Sequence, residues 1–126
     1  MKAIVYHKYG SPDVLERREV DTPAPSDGEV LIRVRATSIV YSDWAFVRGK
    51  PFLVRLMGSG LLKPKHNILG VDVAGQVEAV GRGVERFRPG DEVFGDLSEC
   101  GRGAYAEYVC APQSALAPKP ANCSFE

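Results

Sequence analysis

Between Gly70 and Gly95 the chain alternates apolar and polar positions and is interrupted by glycine at short intervals. That pattern excludes long helices there and predicts short, bent strands. Val71, Val73, Gly75, Val77 and Ala79 share one face of an extended segment, the period of two that marks a strand with one face on a core. Asp72 points to the opposite face. Gly70, Gly75, Gly81, Gly90 and Gly95 fall in or beside these strands, where glycine marks a bulge or a barrel corner. Nine Pro and thirteen Gly in 126 residues keep every other segment short as well.

The remaining segments follow the same style. Lys2–Tyr6 is predicted as a strand, and Asp13–Val20 as a strand with a solvated face. Thr22–Gly28 is dense in turn residues. Glu29–Ala36 alternates cleanly, with Val30, Ile32 and Val34 on one side and Leu31, Arg33 and Arg35 on the other. Ser42–Val47 is predicted as a short helix capped by Ser42 or Asp43. Residues 52–62 are apolar around Gly58-Ser59-Gly60 and read as a loop with one helical turn. Glu92–Phe94 and Tyr105–Ala111 are further strands, after which Pro112, Pro118 and Pro120 prevent a long helix. Six or so short strands predict a mainly β fold, a small, partly open barrel with short helices.

Composition narrows the function. The length suits one domain. Sixteen basic and sixteen acidic residues give zero formal net charge, so no global field draws the chain to nucleic acid or an anionic membrane. No stretch approaches the ~20 apolar residues of a membrane span. Cys100, Cys110 and Cys123 form no Cys-x-x-Cys pair, and no secretory signal precedes them, which points to reduced thiols and a cytoplasmic protein. His7 and His66 are isolated and lack metal-like spacing. Gly101-Arg102-Gly103-Ala104-Tyr105-Ala106 matches a dinucleotide fingerprint in letters only, because a Tyr/Val-rich strand follows instead of a helix.

Five blocks together resemble one family: Pro25-x-x-Gly28-Glu29-Val30-Leu31-Ile32-Arg33-Val34, the Gly70–Gly81 run, Arg86–Gly95, Gly103–Val109 and Leu116–Pro120. They resemble the N-terminal catalytic domain of the medium-chain dehydrogenase/reductases. The resemblance implies a GroES-like barrel over residues 1–126. It also implies a separate α/β Rossmann domain that would begin near Glu126 and is absent here, so the piece alone is expected to be inactive. Zinc alcohol dehydrogenases of this family carry a Cys and a His where this chain has Val40 and Val71. Neither valine can coordinate Zn²⁺, which takes N, S or O donors. The Cys-rich zinc loop is missing too, with Cys100 alone in that region. The chain therefore looks like a zinc-independent member, close to the quinone-oxidoreductase and reticulon-interacting-protein-like branch. Ser42-Asp43-Trp44 and the stretch from Met57 to Lys65 lean that way. That branch usually has Asn-Pro where this chain has Val40-Tyr41, so the polar contact of the Asn is missing.

The same resemblance implies the site. Val40, Tyr41 and Ser42 belong to the segment that faces the nicotinamide. A metal-free reductase needs a proton donor after hydride delivery, and Tyr41 or Ser42 offers a hydroxyl; packing and helix capping are the structural alternatives. Asp43 is read as a cap or structural acceptor. Asp72 is read as half of an ion pair with Arg33 or Arg35 in preference to a catalytic acid, since a buried carboxylate needs partners. Trp44, Phe52 and Met57, with Phe46, Leu53 and Leu56, are candidates for the rim of an apolar substrate pocket or for plain packing. Arg48, Lys50, Arg55, Lys63 and Lys65 form a basic stretch with no acid between Asp43 and Asp72, either a solvated loop or a guide for an anionic ligand.

The expected function is hydride transfer from NAD(P)H, with NADPH favoured, to a quinone, an enone or a small carbonyl. The cofactor would be held mainly by the missing domain. No zinc, nucleic acid or membrane partner is expected, and a homodimer is the expected assembly of the full-length protein. A non-enzymatic GroES-like assembly module and an alcohol dehydrogenase domain that has lost its metal are the alternatives.

Overall fold

The computed structural model describes residues 1–56 and 60–126. It is mainly β, as predicted, and open. β1 (Lys2–Val5) and β2 (Glu16–Glu19) form an antiparallel pair. A second sheet holds five antiparallel strands in the order β6-β3-β4-β5-β7. These are β3 (Glu29–Ala36), β4 (Asp72–Val80), β5 (Glu92–Asp96), β6 (Tyr108–Pro112) and β7 (Leu116–Pro118). Single bridges, Ala3 to Ala106 and Val5 to Ile68, tie β1 to the segments flanking this sheet.

The alternation in β3 and β4 builds the core. Val30 and Ile32 from β3, Val73 and Val77 from β4, Val93 from β5 and Ala111 from β6 meet in one buried cluster with Phe87, Leu97 and Leu116. Burying an aliphatic side chain of this kind stabilises the fold by about 1.5–3 kcal/mol. Two register shifts bend the pair. Leu31 lies opposite Ala79 but Ile32 lies opposite Val77, so Glu78 is an extra residue; Arg35 is extra in the same way between Val34 and Ala36. A bulge of this type reverses the facing beyond it. Val80 therefore packs on the core, where uninterrupted alternation assigns that side to Ala79. Gly75 sits where a Cβ would collide with the Arg33 carbonyl oxygen and come within 2.8 Å of the Ile32 side chain. Only glycine lets β3 and β4 approach so closely.

Two predicted boundaries move. The strand expected from Asp13 starts only at Glu16, because Pro12–Val14 is a 3₁₀ turn with Pro12 at its first position. The strand expected from Tyr105 starts at Tyr108, because the backbone of residues 104–107 bonds to other partners: the Tyr105 N–H to Leu69 O, and the Glu107 N–H to Lys2 O.

Helix α1 (Tyr41–Arg48) links β3 to the β4 side of the molecule and ends at Gly49. Ala45 and Val47 are buried on its inner side. A second small cluster, Tyr6, Val47 and Leu69 with Phe46 and Tyr105 packed against it, holds the helix down. Tyr41, Trp44 and Arg48, at spacings of three and four, are exposed along its outer side.

Candidate functional site

The site is built around one buried charge. Asp43 is 2% exposed and is the one buried charged residue among those described. It stands in the first turn of α1, where its Oδ2 accepts the Val40 N–H at 3.1 Å. Val40 is the N-cap, and its side chain has no acceptor. So the helix end is satisfied from inside by Asp43, not by Ser42. Oδ1 accepts the Gly70 N–H at 3.3 Å, and the Tyr105 hydroxyl donates to Oδ2 at 2.8 Å. Tyr105 Oη also lies 3.3 Å from the Ser38 carbonyl. A hydroxyl has one proton, and the shorter, charge-assisted contact to Asp43 takes it. Burial first, then the hydrogen bond to Asp43, pushes the Tyr105 pKa well above the ordinary tyrosine range. Tyr105 therefore stays a donor at neutral pH. This network ties the start of α1 to the turn before β4 and the approach to β6. At Gly70 a Cβ would come within 2.7 Å of the Tyr105 ring, so the close approach of these two segments depends on its absence.

Two further groups surround the network. Tyr6 is buried, and burial followed by the neighbouring Tyr9 raises its pKa to about 12. Arg102 adopts a left-handed backbone, φ 61°, and lays its guanidinium over the Phe46 ring at 3.6 Å. Its Nε is buried without a hydrogen-bond partner. Burial lowers its pKa, against the opposing charges of Tyr6 and Asp43.

The predicted residues separate into two groups. Val40, Tyr41, Ser42, Asp43 and Trp44 come together at the first turn of α1. Tyr41 is 76% exposed and Trp44 43%, with ring centroids 5.5 Å apart. Phe52 is also exposed, beyond the helix, with the Arg55 guanidinium 5.9 Å from its ring. Leu53 and Leu56 are exposed with it. Phe46, by contrast, turns inward to the second cluster. Met57 lies outside the described residues.

Asp72 departs from its predicted partner. The Ser38 hydroxyl donates to its Oδ2, and Thr37 Oγ1 donates to its backbone carbonyl at 2.7 Å. Among the described residues it has no ion pair with Arg33 or Arg35. The Ser38 hydroxyl on the β3–α1 link is closer at hand and gives the carboxylate a donor without charge. Asp72 and Ser38 stand at the edge of a cleft of about 770 Å³ between β4, β5 and the chain's last residues, with Phe94 and Phe125 among its apolar walls. Tyr41, Ser42 and Trp44 do not line that cleft.

The cysteines carry free thiols. Burial raises the Cys100 pKa, with Asp96 adding to it, and burial raises Cys110 to about 11. Neither is poised as a thiolate nucleophile. Sequence reasoning missed Tyr105, Ser38 and the Gly70 N–H. The available signal was the acid itself: a carboxylate on the inner side of a short helix demands donors from elsewhere.

Residues 26–121 match the alcohol dehydrogenase GroES-like domain. The chain belongs to that family. It is the GroES-like domain of a medium-chain dehydrogenase/reductase. A chloroplastic quinone-oxidoreductase of Triphysaria versicolor is 36% identical over 127 residues, 98% of this chain and 36% of the relative. The structure of the quinone oxidoreductase from Coxiella burnetii superposes with a TM-score of 0.85 at 32% identity, over 99% of this chain and 38% of that one. The Escherichia coli quinone oxidoreductase, solved in complex with NADPH, gives 0.81 at 28% identity, over 99% of this chain and 35% of that one. The GroES-like domain thus spans little more than a third of the length of these relatives. Among the described residues, no helix is long and apolar enough to cross a membrane.

Proposed function

We propose that this GroES-like domain is the catalytic half of a zinc-free, NADPH-dependent oxidoreductase that reduces a quinone, an enone or a small carbonyl in the cytoplasm. The observation that carries the reading is the first turn of α1: two hydroxyl-bearing residues, Tyr41, exposed, and Ser42, half-buried, fixed from behind by the buried Asp43 network. The quinone oxidoreductases that the chain resembles, one of them solved with NADPH, support the cofactor and the substrate class.

NADPH, when bound, supplies the hydride; we assign its dinucleotide to a second domain, so residues 1–126 alone turn over no substrate. The chain's own contribution is positional. Val40, Tyr41 and Ser42 form one wall beside the nicotinamide, and the Tyr41 or Ser42 hydroxyl donates the proton that completes reduction of the acceptor oxygen or carbon. Trp44 and Phe52 shield the acceptor from water. Val40 and Val71 offer no donor atom to a metal, so the charge developing on the acceptor is met by hydroxyl donors.

NADPH consumption by the full-length protein with a simple quinone tests this. The expected result is quinone-dependent oxidation of NADPH by the full-length protein and no turnover by residues 1–126. Tight cofactor binding and turnover by the 126-residue chain would refute the division of labour, and zinc-dependent alcohol oxidation would refute the metal-free chemistry.

A further inference from the structure

The outer face of α1 carries more than the Tyr41 hydroxyl. Tyr41, Trp44 and Arg48 stand at spacings of three and four residues and form one continuous stripe. The Tyr41 and Trp44 rings are 5.5 Å apart and tilted by 32°. The Arg48 guanidinium carbon lies 4.9 Å from the centre of the Trp44 ring. The sequence is therefore hydroxyl, then aromatic, then cation, over eight residues or about 10 Å of helix.

Arg48 is poised as an anion receptor. Stacking on Trp44 engages the face of the guanidinium and leaves its in-plane N–H donors open. Among the described residues Arg48 has no ion pair. The other arginine of this region is already committed: Arg55 donates from Nε to the Gly49 carbonyl at 3.1 Å and stacks on Tyr9 at 4.4 Å. No acidic residue occurs from Trp44 to Val71, so nothing in that stretch competes for the Arg48 charge. A stacked guanidinium also has fewer conformations to lose when an oxyanion docks on it bidentately.

We propose that the preferred substrates are flat, conjugated carbonyl compounds that carry an anionic group, a carboxylate or sulfonate. The ring system stacks along Tyr41 and Trp44, the reducible carbonyl lies at the Tyr41–Ser42 end, and the anion is held by Arg48. This inference rests on the oxidoreductase reading above and adds the substrate class to it. The anion is assigned to the substrate, not to the phosphates of the cofactor.

The test uses the full-length protein with NADPH and two probes, 1,4-naphthoquinone and 1,4-naphthoquinone-2-sulfonate. The quantity read is the ratio of kcat/KM for the sulfonate to that for the neutral quinone, compared between wild type and Arg48→Gln. Intrinsic reactivity differences between the probes cancel in that comparison. Loss of a charge-assisted pair lowers the ratio about tenfold in Arg48→Gln, chiefly through KM for the sulfonate. Arg48→Lys restores only part of it, because an ammonium lacks the planar fork. In wild type the ratio falls as salt rises from about 0.05 M to about 0.5 M. A ratio unchanged by Arg48→Gln overturns the inference while leaving the oxidoreductase reading intact. A rise in KM for NADPH with an unchanged quinone ratio also overturns it, and gives Arg48 to the cofactor. Failure of the wild type to reduce either quinone overturns both.

Discussion

The five-stranded sheet and the helix α1 region place their side chains in opposite ways. In the sheet, Val30, Ile32, Val93 and Ala111 are fully buried, and Gly75 lets two strands approach until no side-chain atom fits between them. In and around α1, Ile39, Tyr41, Trp44, Phe52, Leu53 and Leu56 are exposed, and the buried Asp43 lies under the helix. The difference teaches where each property resides. Stability comes from the sheet, while α1 holds apolar and hydroxyl groups in solvent at the cost of desolvating a carboxylate beneath them.

Substitutions along this divide should separate by size. Gly75→Val forces a side chain against the Arg33 carbonyl, which cannot swing aside as a side chain can. The expected loss is about 3 kcal/mol or more, read from urea unfolding. If Gly75→Val is tolerated, the strands are looser than described. Asp43→Asn comes next. The amide keeps one acceptor, but its NH₂ must face a donor, the Val40 or Gly70 N–H or the Tyr105 hydroxyl. The expected loss is about 2 kcal/mol. Tyr105→Phe removes one donor from a charged acceptor and should cost about 1.5 kcal/mol. If Asp43→Asn leaves unfolding unchanged, the network does not hold α1.

Alkaline titration gives a further, smaller contrast. Tyr6 has a folded pKa of about 12 against an ordinary 10.0. Between those values the unfolded chain loses the proton and the folded chain keeps it. The Tyr6 contribution is therefore fully present below pH 10 and is lost as pH rises toward 12. Tyr6→Phe should flatten the decline in unfolding free energy over that window; an unchanged slope would remove Tyr6 from the account. Smallest of all, Ile39→Ser should change stability by no more than about 0.5 kcal/mol, since Ile39 is 85% exposed.

The same divide explains what was legible in the sequence. The bounds of β3 were read residue for residue from its alternation, but Leu31, on the other side, is buried along with Val30 and Ile32, and the extra residue Arg35 was not announced. β4 was read correctly up to its bulge: nothing in Glu78-Ala79-Val80 announces which residue is extra, and only pairing with Leu31 and Ile32 decides it. Helix α1 was placed to within a residue at each end. Asp43 was legible as a cap or structural acceptor, and it takes the Val40 N–H three residues back. Its long-range partners were not legible: they are 27 and 62 residues away, and no local pattern marks the Gly70 N–H or Tyr105 as donors. Asp72 failed for a related reason. Arginines on the neighbouring strand offered themselves by charge, whereas the Ser38 hydroxyl on the link after β3 was nearer in space.

The central claim is that the outward face of α1 performs chemistry on a frame whose stability lies elsewhere. The double variant Tyr41→Phe, Ser42→Ala tests it most directly, with NADPH-dependent quinone reduction by the full-length protein and urea unfolding measured side by side. The account predicts that kcat/KM falls about 100-fold while the unfolding midpoint stays where it was. Unchanged turnover, or a midpoint that falls together with activity, would contradict it.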